Sequence, residues 1–213
     1  LIITFLGFKS LFITVSIVLI TAAIPLFMSK DIHAEFNFKI KNLFKKQKIT
    51  DAIALMARGT ERSLGIVIWP MIIFFSILNS YTALGTITTL TLFFSLIFTF
   101  MIGKATDKKR NFVFRFGAIF NSIVWLVRTL VKTGLQVFII DSFYGMSKTM
   151  YLIPFNASDY DKANKQNIVK YIIFRTMMST LGEALPFVIL YIIGSLVAAP
   201  LIGAGASLLV LLF

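Results

Sequence analysis

The sequence has 213 residues, of which 58% are hydrophobic, 15% aromatic and only 14% charged. A soluble domain of this size needs about a quarter of its residues charged to cover its surface, so the composition excludes that class and predicts an integral membrane protein. The 21 Lys and Arg residues outnumber the 9 Asp and Glu residues, giving a net charge of +12. Nucleic-acid binding often explains such an excess, but the long apolar runs argue against a nucleic-acid partner.

The residues that carry most enzyme chemistry are scarce. The sequence contains no Cys, which excludes disulfides, thiolate nucleophiles and Cys-based metal sites. No Ser/His/Asp set, Walker sequence or His-Glu zinc motif is present, and the single histidine, His33, is expected in an exposed loop. We therefore expect no enzymatic activity, no cofactor and no metal. Because the sequence starts at Leu1 and ends within an apolar run at Phe213, we expect a fragment of a longer protein.

A membrane-spanning helix needs about 20 mostly apolar residues, and the sequence predicts about seven such spans in a polytopic, all-α bundle. The first, residues 10–29, follows a turn at Gly7-Phe8-Lys9-Ser10 that closes the remnant of an earlier span. Residues 63–103 contain no charge and are long enough for two spans, with a turn at Asn79-Ser80-Tyr81-Thr82. The other four are expected at residues 112–131 and 134–153 and within residues 169–213, where Ala198-Ala199-Pro200 marks a break.

The distribution of Lys and Arg along these spans predicts their orientation. If the spans alternate, 18 of the 21 basic residues fall on one side of the membrane, and only Lys9, Arg128 and Lys132 fall on the other. The basic side is expected in the cytoplasm. The loops 30–62, 104–111 and 155–168 are therefore predicted to be cytoplasmic, in a multi-pass protein of the plasma or inner membrane.

The long basic loop divides the chain into residues 1–29, residues 30–62 and a six-helix bundle at residues 63–213. Aromatic and basic residues alternate in this loop, and the segment Thr50–Glu61 has helical apolar spacing. One interpretation is an amphipathic helix and basic arm lying against anionic lipid headgroups. The other is a solvated cytoplasmic linker, and the sequence does not choose between them.

Charged residues inside spans are informative because each costs about 2.5–3.5 kcal/mol to insert. Asp141, Tyr144 and Lys148 share one face of a predicted helix, which makes that face a candidate lining of a polar solute path. The preceding helix carries Asn121 and Arg128 on one face, seven residues apart. Arg128 is also close enough to a helix end to extend its guanidinium to the membrane surface.

A further acidic residue, Glu183, lies in the sixth predicted span beside Gly182 and Pro186. Asp141 and Glu183 are candidates for solute contact or proton coupling, because short acidic side chains reach a membrane surface poorly. A structural ion pair of Asp141 with Arg128 or Lys148 is the alternative. Small residues four apart near the end of the chain (Ala199, Gly203 and Ser207) predict close helix packing.

The connection between the third and fourth spans reads Gly103-Lys104-Ala105-Thr106-Asp107-Lys108-Lys109-Arg110. It resembles the loop motif of the major facilitator superfamily, Gly-x-x-x-Asp-[Arg/Lys]-x-Gly-[Arg/Lys]-[Arg/Lys]. Gly103, Asp107 and Lys108 match in register, whereas Arg110 stands where the family usually has Gly. The order of the spans also resembles that family, with the chain as the sixth helix, the central loop and the C-terminal six-helix half.

This resemblance implies a secondary active transporter, a symporter or antiporter that moves a small solute by alternating access, coupled to protons or sodium ions. It also implies a missing N-terminal half, in which a helix end would face Asp107. The alternative from another class is a non-transporting membrane scaffold or lipid-handling protein, in which the acidic residues form structural pairs. A channel is a further alternative, against which the apolar eighth and twelfth spans argue.

Overall fold

The computed structural model describes residues 2–28 and 48–213. All regular structure in these residues is helical, which confirms the predicted all-α class. They belong to two compact units, residues 2–28 in one and residues 48–213 in the other. The basic part of the predicted loop at residues 30–47, with His33, lies outside the described residues.

The first unit is helix α1 (Ile2–Met28), which leaves helical geometry at Gly7. The φ angle of Gly7 is +74°, a backbone conformation that glycine adopts without steric cost. The interruption coincides with the turn expected at Gly7-Phe8-Lys9-Ser10. The hydroxyls of Thr14 and Thr21 donate to carbonyls four residues earlier at 2.8 Å, so both remain satisfied in an apolar helix.

The second unit contains five helices. They are α2 (Ile49–Leu78), α3 (Tyr81–Leu130), α4 (Gly134–Asn164), α5 (Ile168–Ile193) and α6 (Leu196–Leu212). Three of them, α2, α3 and α5, are long and apolar enough to cross a membrane. Their exposed side chains include many large apolar groups, as a lipid-facing surface requires. The total of about seven spans remains a prediction.

Short polar side chains determine where three of these helices begin. Ser80 accepts from the backbone N–H of Ala83 at the start of α3, and Asn167 does the same for Lys170 at the start of α5. At the start of α4, Thr133 and Gln136 form a reciprocal capping box. The connection between α2 and α3 lies at the turn predicted around Asn79, which has a positive φ angle of 48°.

Two helices depart from regular α-helical geometry. Helix α2 includes two π-helical turns, Leu64–Ile68 and Phe74–Leu78, on either side of a short α-helical stretch that contains Pro70. Helix α3 bends at Lys109, where the backbone leaves helical angles. The bend divides α3 into residues 81–108 and residues 110–130, so the loop predicted at residues 104–111 is instead a bend within a helix.

The five helices associate mainly as two pairs. Helix α2 packs along α5, α3 packs along α4, and α6 lies against both α2 and α3. Glycines make the first pairing close: a Cβ at Gly59 would overlap the backbone of Ser179, and a Cβ at Gly182 would overlap the backbone of Met56. The small residues predicted to pack closely in α6 also lie near a neighbouring helix, because a Cβ at Gly203 would overlap the Trp125 ring of α3.

The bundle has one strongly basic end. There Lys162, near the end of α4, donates to Asp51 near the start of α2 at 2.7 Å and to the Phe213 carbonyl at 2.8 Å. Arg110, beside the bend of α3, pairs with Asp161 at 2.6 Å. This end of the bundle therefore contains the start of α2, the bend of α3 and the last residues of α4 and α6. We call it the basic end.

Two predicted boundaries differ from the structure. The boundary expected at residue 62 falls inside α2, and the amphipathic segment Thr50–Glu61 forms its first turns. Its apolar face, including Leu55, is buried in the bundle, because a helix with one apolar face also satisfies it by packing against other helices. The break expected at Ala198-Ala199-Pro200 begins earlier, at Gly194, which has a φ angle of +68° and ends α5.

Candidate functional site

The most completely buried acidic residue of the described chain is Glu61, which is 1% exposed. Its Oε1 atom accepts a hydrogen bond from the Tyr144 hydroxyl at 2.6 Å, and its Oε2 atom accepts one from the Tyr151 hydroxyl at 2.6 Å. Both tyrosines lie on α4 and are seven residues apart, which is about two helical turns. The carboxylate of α2 is therefore held by two tyrosines of α4.

Two residues of α3 extend this arrangement. The Nδ2 atom of Asn121 and the Nε1 atom of Trp125 each lie 3.4 Å from Oε1 of Glu61. Asn121 also donates to the Ser207 hydroxyl at 2.8 Å and accepts from the Ser147 hydroxyl at 2.9 Å. Side chains from α2, α3, α4 and α6 thus meet in one buried polar network. We call Glu61, Asn121, Trp125, Tyr144 and Tyr151 the Glu61 cluster.

The nearest cation to this cluster along α4 is Lys148. Its Nζ atom donates to the Tyr144 hydroxyl at 3.2 Å and lies 5.1 Å from the centre of the Tyr144 ring. Lys148 is only partly buried, so it joins the buried tyrosine to a more accessible region. The Tyr144 hydroxyl is therefore shared between a buried carboxylate and a half-buried ammonium.

A second charged group adjoins the Glu61 cluster. The Nη2 atom of Arg128 pairs with Oδ1 of Asp141 at 2.7 Å, and the indole N–H of Trp69 donates to the same oxygen at 2.8 Å. The guanidinium carbon lies 3.8 Å from the centre of the Tyr144 ring and 4.2 Å from the centre of the Trp125 ring. Cation–π contacts of this kind are strongest where the cation is desolvated.

The structure corrects the interpretation of Arg128 as a residue that reaches the membrane surface. Its side chain is 1% exposed and turns inward to Asp141. The charge is held inside because Asp141 and the rings of Trp69, Trp125 and Tyr144 surround it. The ion pair of Arg128 with Asp141, which the sequence left as an alternative, is formed.

Helical spacing accounts for how these groups converge. One face of α3 carries Asn121 and Arg128 at the spacing that the sequence indicated, with Trp125 between them. One face of α4 carries Asp141, Tyr144 and Lys148. These two faces meet because α3 and α4 pack along each other. Helix α2 approaches at Gly65, where a Cβ would overlap the Tyr144 hydroxyl.

Glu183 does not join the Glu61 cluster. Its Oε1 atom lies 3.2 Å from Nη1 of Arg62 in an ion pair whose side chains are 35% and 62% exposed. The pair links α5 to α2 near the crossing of Gly59 and Gly182, where Thr60 also donates to the Gly182 carbonyl at 2.8 Å. Among the predicted residues, Glu183 is thus separate, whereas Asn121, Arg128, Asp141, Tyr144 and Lys148 lie together.

The loop-motif residues occupy the bend of α3 at the basic end. Asp107 and Lys108 are exposed, Gly103 has open space around it, and Arg110 pairs with Asp161. Within the described residues, this segment makes no hydrogen bond with the Glu61 cluster.

The sequence did not single out Glu61, Tyr151 or Trp69. A signal for Glu61 was present in its spacing from buried apolar residues. It lies seven residues after Ala54, three before Leu64 and seven before Ile68, so it continues the buried face of α2. It was hidden because Arg58 and Arg62 placed the segment in a basic loop.

The site brings together several side chains that can form hydrogen bonds or carry charge. No group of three or more His, Asp or Glu residues within the described ranges could hold a metal ion. The groups that could bind a solute or exchange a proton are two carboxylates (Glu61 and Asp141), two phenols, an amide and two cations. Comparison with models of protein families gives no match, and neither the curated proteins nor the solved structures contain a significant match.

Proposed function

We propose that this chain forms the sixth helix, central loop and C-terminal half of a secondary active transporter that moves a small solute by alternating access. The observation that carries the proposal is the buried Glu61 cluster. Burying an ionisable side chain among apolar, membrane-length helices costs free energy. Apolar side chains of similar volume would stabilise a bundle at least as well, so a functional reason for the buried carboxylate is favoured. The loop motif at Gly103, Asp107 and Lys108 supports the same assignment by resemblance.

In this proposal the N-terminal half of the transporter covers the other side of the solute path. The half-buried Lys148, next to the Glu61 cluster, is the group placed to meet the solute, and Glu61 behind it is the coupling carboxylate. Tyr144, which bonds both of them, is the link between solute contact and proton binding. In the same proposal the basic end faces the cytoplasm from a plasma or inner membrane, because Lys and Arg are enriched on the cytoplasmic side of membrane proteins.

The test is proton movement driven by a solute gradient. The full-length protein is reconstituted in liposomes that contain a pH-sensitive dye, and a panel of sugars, amino acids and small carboxylates is added outside. We expect Glu61→Gln to abolish the solute-driven change of internal pH, a fall for a symporter or a rise for an antiporter, because the amide cannot exchange a proton. Glu183→Gln is the matched control, since it neutralises a partly exposed carboxylate of the same bundle that lies outside the Glu61 cluster, and it should retain transport.

Asp141→Asn separates the two charged groups of the site. Its oxygen would still accept from Trp69, so we expect partial rather than complete loss of flux. If all three variants fold normally and transport at the rate of the unmodified protein, Glu61 is not a coupling residue. No flux of any solute with the unmodified protein would favour the alternative of a scaffold or lipid-handling protein.

A further inference from the structure

Arg58 of α2 is a half-buried cation whose hydrogen-bond donors are unused within the described residues. Its guanidinium carbon lies 5.1 Å from the centre of the Phe155 ring of α4. In residues 2–28 and 48–213, no carboxylate forms an ion pair with it. Its nitrogens are not enclosed, unlike Nε and Nη1 of Arg128, which have neither a hydrogen-bond partner nor contact with solvent. A ligand can therefore reach the donors of Arg58.

The charges around Arg58 leave it uncompensated. Arg62 and Arg175 repel it electrostatically, and Asp159 attracts it. Asp159 is already paired with Nε of Arg175 at 2.6 Å. Arg62 is paired with Glu183 at 3.2 Å. Because these two pairs are each neutral, one positive charge remains in this group, and it is the charge of Arg58.

Lys148 of α4 is a second cation of the same region. Its Nζ atom donates to the Tyr144 hydroxyl at 3.2 Å, and it has no ion pair in the part of the chain that the structure describes. Lys148, Tyr151 and Phe155 follow one face of α4 at intervals of three and four residues. Lys148 and Phe155 are about 10 Å apart along the helix axis, so Lys148 and the Arg58 guanidinium flank Tyr151.

The balance of charge along this face favours a monoanion. Glu61 lies behind the two tyrosines and acts electrostatically on Lys148, so its charge offsets that of Lys148. The charge of Arg58 remains, and one negative charge would balance it. A planar guanidinium matches the geometry of a carboxylate, which it binds through two parallel hydrogen bonds.

We propose that the solute of this protein is a small organic anion, and that Arg58 and Lys148 bind its carboxylate. The inference rests on the proposed function and names the class of solute. Arg58 donates through its guanidinium fork and Lys148 through Nζ, while the Glu61 cluster lies behind them.

The test is isothermal titration calorimetry on the full-length protein in detergent. The probes are sodium acetate, sodium butanoate and sodium benzoate, together with the uncharged amide of each acid. We expect saturable binding of at least one carboxylate and none of its amide, because the two differ in charge and hardly in shape. Inorganic phosphate, which carries more negative charge than the site balances, should bind less tightly than that carboxylate.

Two variants remove the proposed ligands one at a time. Arg58→Gln and Lys148→Gln should each weaken binding of the carboxylate at least about tenfold, the loss of one charge-assisted hydrogen bond. Arg62→Gln is the matched control, because it removes an arginine one turn further along α2 that is 62% exposed and paired with Glu183. Exposed pairs contribute little, so this variant should bind like the unmodified protein.

A third variant should act in the opposite direction. Glu61→Gln removes a negative charge close to Lys148, and we expect it to bind the carboxylate about fivefold more tightly or better, as is typical of coupled sites. Damage to the fold cannot raise affinity, so this increase separates an electrostatic effect from a structural one.

The proposal is overturned if no carboxylate binds, if the amides or phosphate bind as tightly, or if Arg58→Gln binds like Arg62→Gln. Weaker binding by Glu61→Gln would also overturn it. Affinities are compared between variants that keep the melting temperature of the unmodified protein. Lys148→Gln and Glu61→Gln keep the test decisive if Arg58→Gln does not fold.

Failure of this inference can be told apart from failure of the proposed function. Proton-coupled flux of a sugar, without binding of any anion, would overturn the anion site and leave the transporter in place. Binding of a carboxylate that depends on Arg58 and Lys148, without flux of any solute, would keep the site and overturn transport.

Discussion

The hydroxyl of Tyr151 donates to Oε2 of Glu61 at 2.6 Å, and both side chains are at most 1% exposed. The bond joins α2 to α4, which belong to different helix pairs of the bundle. The Glu61 cluster therefore connects the two pairs as well as providing a candidate coupling group.

Tyr151→Phe removes this donor and leaves Oε2 without its hydroxyl partner. Hydrogen bonds between membrane helices average about 0.6 kcal/mol with a maximum of about 1.7, and bonds to charged groups are stronger than average. We expect a loss of about 1.5 kcal/mol in unfolding free energy, measured by denaturation in mixed micelles. Tyr160→Phe, at a residue that is 63% exposed, is the control. Equal stability of the two variants would contradict the assigned role of the bond.

Glycine substitutions test the close crossing of α2 and α5. Gly59→Ala and Gly182→Ala each place a methyl group on the backbone of the facing helix, and overpacking of this kind costs about 1–3 kcal/mol. Gly205→Ala has open space around the new methyl group, so it should be neutral or slightly stabilising, since Ala is the better helix former.

Thermal unfolding of the purified protein in detergent measures all three glycine variants. A melting temperature for Gly182→Ala equal to that of Gly205→Ala would show that α2 and α5 do not contact each other at Gly182.

The sequence predicts the helices of the second unit better than their contacts. Apolar length and turn residues indicated the helices and the connection around Asn79, because both depend on local chemistry. The helical spacing of Thr50–Glu61 was recognised, but its continuity with the following span was missed, since charged residues on one face of a buried helix have the composition of a loop. Gly194 was missed as an end because Pro200 nearby is the stronger signal in sequence.

Helical spacing grouped Asn121 with Arg128 and Asp141 with Tyr144, and these groups do meet. Helical spacing did not predict the contact of Glu61 with Tyr144, which is 83 residues away in sequence. Spacing along one helix says nothing about which helix lies opposite. The partner of Asp141 was left open between Arg128 and Lys148 for the same reason.

Two ion pairs of equal length at the basic end should differ in their contribution to stability. Asp159 pairs with Arg175 and Asp161 pairs with Arg110, both at 2.6 Å, but their side chains are 2% and 55% exposed. Exposed pairs contribute about 0–1 kcal/mol, whereas breaking a buried pair costs about 3–5 kcal/mol.

We expect Asp161→Asn to change the unfolding free energy by less than about 0.5 kcal/mol. Asp159→Asn should cost about 2 kcal/mol, less than a fully buried pair, because Arg175 is 28% exposed and the amide oxygen still accepts from Tyr171. Denaturation under identical conditions compares them. Comparable losses for both variants would mean that burial does not set the strength of these pairs.

The orientation of the bundle can be read from cysteine labelling, because the sequence contains no Cys. Lys109→Cys lies at the exposed bend of α3 and Lys132→Cys at the opposite end of the bundle. If the basic end is cytoplasmic, a membrane-impermeant maleimide added to intact cells should label Cys at position 132 and not at position 109. Inverted vesicles should give the reverse pattern. Ser147→Cys is the control, because this position is fully buried, and it should stay unlabelled in both preparations. Labelling of positions 109 and 132 from the same side would contradict the alternation of spans, on which the transporter proposal depends.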